Sequence, residues 1–278
     1  MNVTVVYLDN YKPDEEIILR TSGIATLRVN AQDLLADQTL TLSARPAPVL
    51  FRGRRMSLDA YGELYATARS GGLQPLTSPT SFGIAEDFQL HYPLLRKWSP
   101  AALVVDATAG PEVLVHSLAT GVLAFPVFVR SDLESAAKYV GVGGCVLSTP
   151  SLEEASTVLN NLRQHVRGFR SIILKEMRPM RRKGGASVEY RAVGLRGQLL
   201  HFDYSSTKSS LDDPYALGLD AVAEECFEAL GDGGADGAVL VDLGVQENGS
   251  PVVVECKDFL SGGVRQPEIL AEKLTQRV

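Results

Sequence analysis

One segment constrains this chain more than any other: AVLVDLGVQENGSPVVVECKDF, Ala238–Phe259. Two apolar runs flank Asn248-Gly249, the strongest short-range hairpin signal, because a type I′ turn needs φ > 0 at both central residues. With those two residues as the loop, counting outward places Asp242 directly opposite Glu255. Opposed residues on one face hold their Cβ atoms about 4.5–5.5 Å apart, and like charges there are destabilising. A hairpin otherwise made of Val, Leu and Gly gains no stability from that pair. A divalent cation between the carboxylates turns repulsion into ligation, and an all-oxygen site suits Mg²⁺, which takes one or two carboxylates plus phosphate oxygens. The competing reading makes Asp242 a strand-end cap and Glu255 a solvent-facing charge, with the register slipping at Pro251, which cannot donate to the ladder.

The chain has 278 residues, room for one large or two ordinary domains. A net charge of −6 provides no field to recruit nucleic acid or an anionic membrane. Cys145, Cys226 and Cys256 are far apart and odd in number, so they form neither a disulfide framework nor a zinc spacing, and are expected to be small buried hydrophobes. No run approaches the ~18 apolar residues of a membrane span. MNVTVVYLDN lacks the basic and apolar regions of a signal peptide and reads as a first strand, so the expected location is cytoplasmic.

Strands are expected at Val3–Leu8 and Val49–Arg52, then a helix over Leu58–Ser70 with Leu58, Tyr61, Leu64, Tyr65 and Ala68 as its apolar stripe. A short helix follows over Ile84–His91, ending before Pro93. Strands alternating with helices give residues 1–100 an α/β texture. Further on, strands are expected at Leu123–Val129, Tyr139–Leu147 and Ile172–Met177. Ser151 and Glu154 form a capping box for a helix over Leu152–Arg167. Val188–Arg196 and Gln198–Tyr204 make a hairpin around Gly197; helices then run over Pro214–Leu230 and Pro267–Arg277. The second part therefore reads as α+β.

Several polar residues interrupt these apolar runs. Arg130 ends one and Lys138 begins the next; facing strands would present both cations to one anion, as a phosphate clamp. The bland alternative is two solvated strand-end charges. Ile172–Met180 turns polar at Lys175-Glu176, where Lys175, Glu176 and Met177 could line an adenine slot, or simply mark a strand leaving the core. Glu189 and Arg191 share one face of a strand, either as a surface ion pair or, facing a cleft, as an acceptor and a phosphate fork. The basic run Arg178, Arg181, Arg182, Lys183 lacks interleaved aromatics, so it reads as a solvated loop or a lid over a triphosphate.

In this order the motifs resemble the ATP-grasp superfamily of carboxylate–amine ligases, most closely its branch with an arginine-and-lysine signature. VLFRGRRMSLDAYGELY (Val49–Tyr65) is similar to that branch's strand, Arg-Gly and Tyr-containing helix. The resemblance covers most of the chain, most strongly Leu123–Gly262. It implies an α+β ATP-grasp domain over residues 101–278, whose two subdomains (101–174 and 175–278) sandwich a nucleotide. A small α/β pre-ATP-grasp domain over 1–100 lies on the substrate side. It also implies that Arg130 and Lys138 hold ATP phosphates and that Lys175, Glu176 and Met177 form the adenine hinge, with Glu189 beside the nucleotide. Asp242 and Glu255 hold Mg²⁺, Arg191 neutralises the phosphates or an acyl-phosphate, and Arg52 receives the substrate carboxylate.

Two departures from the pattern stand out. The superfamily usually carries Glu-x-Asn on the last strand; here the residues are Glu255-Cys256-Lys257, followed by Asp258. Either Asp258 supplies the missing metal oxygen or Lys257 contacts phosphate. The first phosphate cation is Arg130 rather than the usual lysine, and an arginine forks differently. The implied reaction is attack of a carboxylate on the γ-phosphate of Mg·ATP, then displacement of phosphate by an amine. The expected partners are ATP, a small-molecule or peptide carboxylate and an amine, with no membrane or nucleic acid. The alternatives are a nucleotide-binding module without catalysis and an ATP-dependent phosphotransferase.

Overall fold

Strand β1 (Thr4–Leu8) reads TVVYL and is covered on both faces, as parallel strands between layers are. The structure, a computed structural model, describes residues 3–9, 11–31, 48–133, 136–204 and 212–277. In it β1 lies between β2 (Ala25–Val29) and β3 (Pro48–Arg52), with β4 (Gln74–Pro75) beyond β3, all parallel. Helix α1 (Pro13–Thr21) connects β1 to β2. Val6, Leu8, Val49 and Phe51 pack on helix α2 (Leu58–Ser70) through Tyr61, Leu64 and Ala68. Leu58 is half exposed, so the buried stripe of α2 begins one turn later than the sequence suggests. The expected helix ending before Pro93 is two helices, α3 (Pro79–Glu86) and α4 (Phe88–Leu95), with Pro93 inside the second. Ser78 and Asp87 set those starts, by accepting from Ser81 N–H at 3.1 Å and Gln89 N–H at 2.9 Å, and Pro93 removes only one bond inside α4.

The chain divides into two compact units, one of Met1–Lys97 with Met180–Val278 and one of Trp98–Pro179. The second unit holds an antiparallel sheet in the order β5 (Ala102–Asp106), β8 (Ser171–Glu176), β6 (Val127–Ser131) and β7 (Val146–Leu147). Helices α5 (Pro111–Ala119) and α7 (Leu152–His165) bury Leu114, Leu118, Val158, Leu159 and Leu162 against Val127, Val129, Ile172 and Leu174. Ser151 caps α7 as expected, but the Glu154 carboxylate reaches past it to the N–H groups of Ser148 and Thr149, at 2.8 and 3.0 Å. The strand expected over Tyr139–Leu147 survives only as β7. Ala137–Val140 is a short helix, α6, and Val142–Cys145 a 3₁₀ turn, because Gly141 at φ 74° redirects the backbone.

The first unit adds a second, antiparallel sheet in the order β12 (Gln198–Tyr204), β11 (Glu189–Leu195), β13 (Ala238–Val245) and β14 (Pro251–Asp258). A small hairpin, β9 (Arg182–Lys183) with β10 (Ala186–Ser187), precedes it. Helix α8 (Leu219–Asp232) begins five residues after Pro214, because Gly218 at φ 68° closes a run of turns first. The Phe227 ring of α8 lies so close to Gly194 that a Cβ there would be 2.3 Å from it. Helix α9 is Pro267–Arg277, with the bounds its sequence predicts. Val193, Leu195 and Leu240 of this sheet share a core with Val5, Tyr7, Leu50 and the α9 residues Leu270 and Leu274.

Candidate functional site

The hairpin of β13 and β14 does bring Asp242 opposite Glu255, by a different route from simple counting. Gln246 and Ser250 close the turn, so its loop has three residues, and only Gly249 has positive φ, 86°. This is a type I turn followed by a left-handed glycine rather than type I′. Val245 therefore opposes Pro251, one place out of step, until a bulge at Val254 restores the register at Asp242. The β11–β12 hairpin behaves alike. Arg196 (φ 53°) and Gly197 (φ 72°) form its two-residue loop, and a bulge at Leu200 makes Arg191 oppose Asp203 instead of Phe202. Arg191 also opposes Asp242 across β11 and β13. Asp203, Arg191, Asp242 and Glu255 thus form one row across four strands.

The row is tightly paired. Arg191 Nε and Nη2 donate to the two Asp242 oxygens at 2.7 Å each, and Nη1 donates to the Gly263 carbonyl at 2.6 Å. Burial disfavours the guanidinium charge, yet the bonds to Asp242 and the nearby Glu255 and Asp203 raise its pKa above the usual arginine value. Lys257, two residues along β14 from Glu255 on the same face, places Nζ 2.6 Å from Glu255 Oε2 and 3.5 Å from Asp242 Oδ2. Its ammonium therefore lies against both carboxylates. This donor set fits a hard divalent cation that completes its shell with water or phosphate oxygens, once the partly exposed lysine swings aside. Among the described residues no three His, Cys, Asp or Glu side chains converge as a metal cluster. Asp258 is not brought to this face. Strand alternation turns it to the other side, where its carboxylate accepts from Ser261 N–H and Oγ at 2.9 and 2.8 Å. Glu86 lies beside it, and burial followed by the Asp258 contact raises the Glu86 pKa to about 8.

Glu189 shares the Arg191 face and opposes Gly244. The Met180 side chain covers Gly244 so closely that a Cβ there would meet its methyl at 2.0 Å. Met180 and Asp203 were not among the residues singled out from the sequence. Asp203 escapes counting because of the Leu200 bulge; Met180 carries no polar signal, although an apolar residue just past a strand end is a cue to one.

Arg52 is the clear correction. It is fully buried, and Nε and Nη2 grip the Glu15 carboxylate at 2.8 and 3.0 Å. Nη1 donates to the carbonyls of Phe259 and Leu260, and Nη2 to that of Gly262. All five N–H groups are used, which leaves none for a substrate carboxylate. Arg52 fastens the loop after β14 to β3.

In the second unit, the sheet face away from α5 and α7 carries Phe128 and Arg130 of β6 and Ile173 and Lys175 of β8. Phe128 opposes Lys175 and Arg130 opposes Ile173, so the two cations are diagonal neighbours on that face. Lys138 lies in α6 rather than on a facing strand, so the two-strand clamp does not form. The Glu176 carboxylate accepts from Ala124 N–H at 2.7 Å and pairs with Arg178 at 2.6 Å. Met177 N–H is bonded to the Pro126 carbonyl at 2.9 Å, which removes that donor from base recognition. In the first unit, Lys183 and Arg181 of the basic run pair with Asp212 at 2.7 and 3.7 Å. No helix among the described residues is long and apolar enough to cross a membrane.

No protein-family model matches the chain, and no curated protein matches it. Solved structures do. A RimK domain protein ATP-grasp from Sphaerobacter thermophilus superposes at TM-score 0.63 and 18% identity, covering 98% of this chain and 99% of that one. The D-cycloserine synthetase DcsG superposes at 0.64 and 16%, covering 99% of each chain. The D-alanine–D-alanine ligase of Bacillus anthracis superposes at 0.61 and 14%, covering 99% of this chain and 95% of that one. The chain has the α+β ATP-grasp fold over nearly its whole length.

Proposed function

We propose that the chain is an ATP-dependent ligase that joins a carboxylate to an amine with release of ADP, through an acyl-phosphate. The observation that carries this is the row Arg191–Asp242–Glu255, closed by Lys257, on the open-ended antiparallel sheet of an ATP-grasp fold. Two facing carboxylates, held by a guanidinium and an ammonium, suit a metal–phosphate complex. Solved structures of this fold include the B. anthracis ligase complexed with ATP, and the ligase PsnB complexed with a minimal precursor, Mg and ADP. They support the same reactants here, with the acid or the amine being a small molecule or part of a peptide.

In this reading Asp242 and Glu255 hold Mg²⁺, which when bound offsets charge on the transferred phosphoryl group. Arg191 stays aimed by its two bonds to Asp242 and neutralises the phosphoryl oxygens. Lys257, now paired with both carboxylates, would contact the phosphates once those carboxylates are engaged by a cation. Arg130, Lys138 and Lys175 bind phosphates. Lys175, Glu176 and Met177 contact the adenine through groups other than the Met177 N–H, with Glu189 beside the nucleotide. Positioned charge is the main resource for such a transfer, and no protein nucleophile is needed.

Titration calorimetry with ATP, with and without Mg²⁺, tests this. Magnesium-dependent binding is expected, and it should disappear in Asp242→Asn and Glu255→Gln while circular dichroism is unchanged; magnesium-dependent binding retained in both variants would refute the assignment. A panel of acids and amines scored for ADP release then identifies substrates. The bridging position of Lys257 favours one second reading, a module that binds nucleotide without metal or turnover. ATP affinity indifferent to Mg²⁺ and lost in Lys257→Ala would support it.

A further inference from the structure

With Arg52 enclosed, the first unit still gathers positive charge beside the acidic row, at Gly263. Three side chains hold three successive carbonyls of this loop: Tyr11 Oη donates to Ser261 at 2.7 Å, Arg52 to Gly262 at 2.6 Å and Arg191 to Gly263 at 2.6 Å. A Cβ on Gly263 would lie 3.1 Å from Lys12 Nζ and 3.4 Å from Arg191 Nη1. A side chain at this position would crowd both the ammonium and the guanidinium, and glycine leaves them unobstructed there.

Lys12 is held there at a conformational cost. It sits at φ 40°, ψ 64°, the left-handed region, immediately before Pro13, and its side chain caps nothing on α1. Its ammonium is 3.6 Å from Glu15, whose carboxylate already serves Arg52 and Tyr7. Asp242 is likewise committed to Arg191. Lys12 and Arg52 thus share the Glu15 carboxylate, while Arg191 is held by Asp242 with Glu255 and Asp203 nearby. Burial, followed by repulsion from Arg52, lowers the Lys12 pKa, and Arg191 adds to it against the pull of Glu15. A half-buried cation that shares its carboxylate with an arginine, beside a glycine, can accept an incoming anion.

We propose that Lys12 Nζ and Arg191 Nη1, over Gly263, form an oxyanion subsite that takes the carboxylate of the acid substrate, the role that the family resemblance implies for Arg52. The assignment to a substrate rests on the ligase reading; the anion site itself does not. The shared chemistry is a compact oxyanion, and a terminal phosphate of the nucleotide is its other possible source.

The experiment is competitive acylation of lysines in the full chain with a limiting amine reagent, followed by peptide mass spectrometry, with exposed Lys97 as the reference. Inorganic phosphate, succinate and Mg·AMPPNP are the three probes. Protection of Lys12 by succinate is expected, about tenfold at ten times its dissociation constant. Gly263→Val should abolish that protection, and Lys12→Met should abolish any phosphate-induced rise in melting temperature. Protection by phosphate and Mg·AMPPNP but not by succinate would reassign the oxyanion to the nucleotide and overturn the substrate role. Lack of protection by all three, or protection unchanged in Gly263→Val, would overturn the subsite. Nucleotide binding is read separately by calorimetry. A chain that fails to bind ATP yet protects Lys12 with succinate would sink the ligase reading and leave the anion site standing.

Discussion

Replacing Arg52 by methionine separates a structural from a substrate-binding arginine. The change leaves the Glu15 carboxylate, only 5% exposed, without its bidentate partner and the carbonyls of Phe259, Leu260 and Gly262 without their shared donor. Removing one member of a buried pair costs about 3–5 kcal/mol, chiefly for the charge left behind. Tyr7 Oη at 3.0 Å and Lys12 at 3.6 Å temper that charge, so the lower half of the range applies in practice. A unit of this size loses about 2–4 °C per kcal/mol, so thermal unfolding followed by circular dichroism should move down by roughly 6–16 °C. Urea titration should show a lower midpoint at nearly unchanged slope. Combining Arg52→Met with Glu15→Leu should recover a good part of the loss, since the second change removes the stranded charge. A melting temperature within about 1 °C of the parent protein, or a double variant no better than the single one, would refute this reasoning and return Arg52 to the substrate.

Other consequences follow from buried groups. His201, whose two ring nitrogens have no hydrogen-bond partner among the described residues, has its pKa pushed down to about 4 by burial, with Lys273 adding repulsion. The unfolded imidazole titrates near 6.5, so its contribution is complete above that pH and falls away towards pH 4, by roughly 3 kcal/mol at most. His201→Phe should flatten the loss of stability in acid. Glu86 has the opposite sign. Its pKa is raised to about 8 by burial and Asp258, so it favours the folded state at low pH, and that contribution is lost as pH rises from about 4.5 through 8. Glu86→Gln should reduce this alkaline decline, measured by urea midpoints at pH 6 and pH 9. Gly194→Ala drives a methyl into the Phe227 ring and should cost about 1–3 kcal/mol, whereas Gly244→Ala meets chiefly the flexible end of Met180, with Val254 Cγ2 at 3.1 Å, and should cost less.

Much of the frame was legible because it depends on local chemistry. The α2 helix over Leu58–Ser70, the Ser151 cap, the Arg196-Gly197 turn and the Pro267 start of α9 are written in three- and four-residue spacings, caps and turn residues. The Asp242–Glu255 pair was also legible, but through two compensating offsets: a loop one residue longer than assumed and a bulge at Val254. A bulge leaves no mark in an alternating pattern, and for that reason the one at Leu200 hid Asp203. Long-range partners were the other blind spot. Arg52 ends an apolar strand as a binding residue would, and nothing near it in sequence announces Glu15 or the carbonyls after β14. Lys138 was misplaced because Gly141, Gly143 and Gly144 break a strand that the neighbouring valines suggest.

The division of the chain also sets an order of events during synthesis. Trp98–Pro179 is continuous, and its sheet and helices are complete once its own residues have emerged. The other unit is split: β1, α1 and β3 are made first, but the carbonyl that Arg52 takes at Phe259 lies 207 residues downstream. At about 5–20 residues per second, the Arg52–Glu15 pair waits roughly 10–40 s for the loop that encloses it. During that interval the parallel sheet exposes the face later covered by Leu240, Leu270 and Leu274. The N-terminal segment is therefore the part of the nascent chain most in need of protection, and the inserted unit is the first to stand on its own.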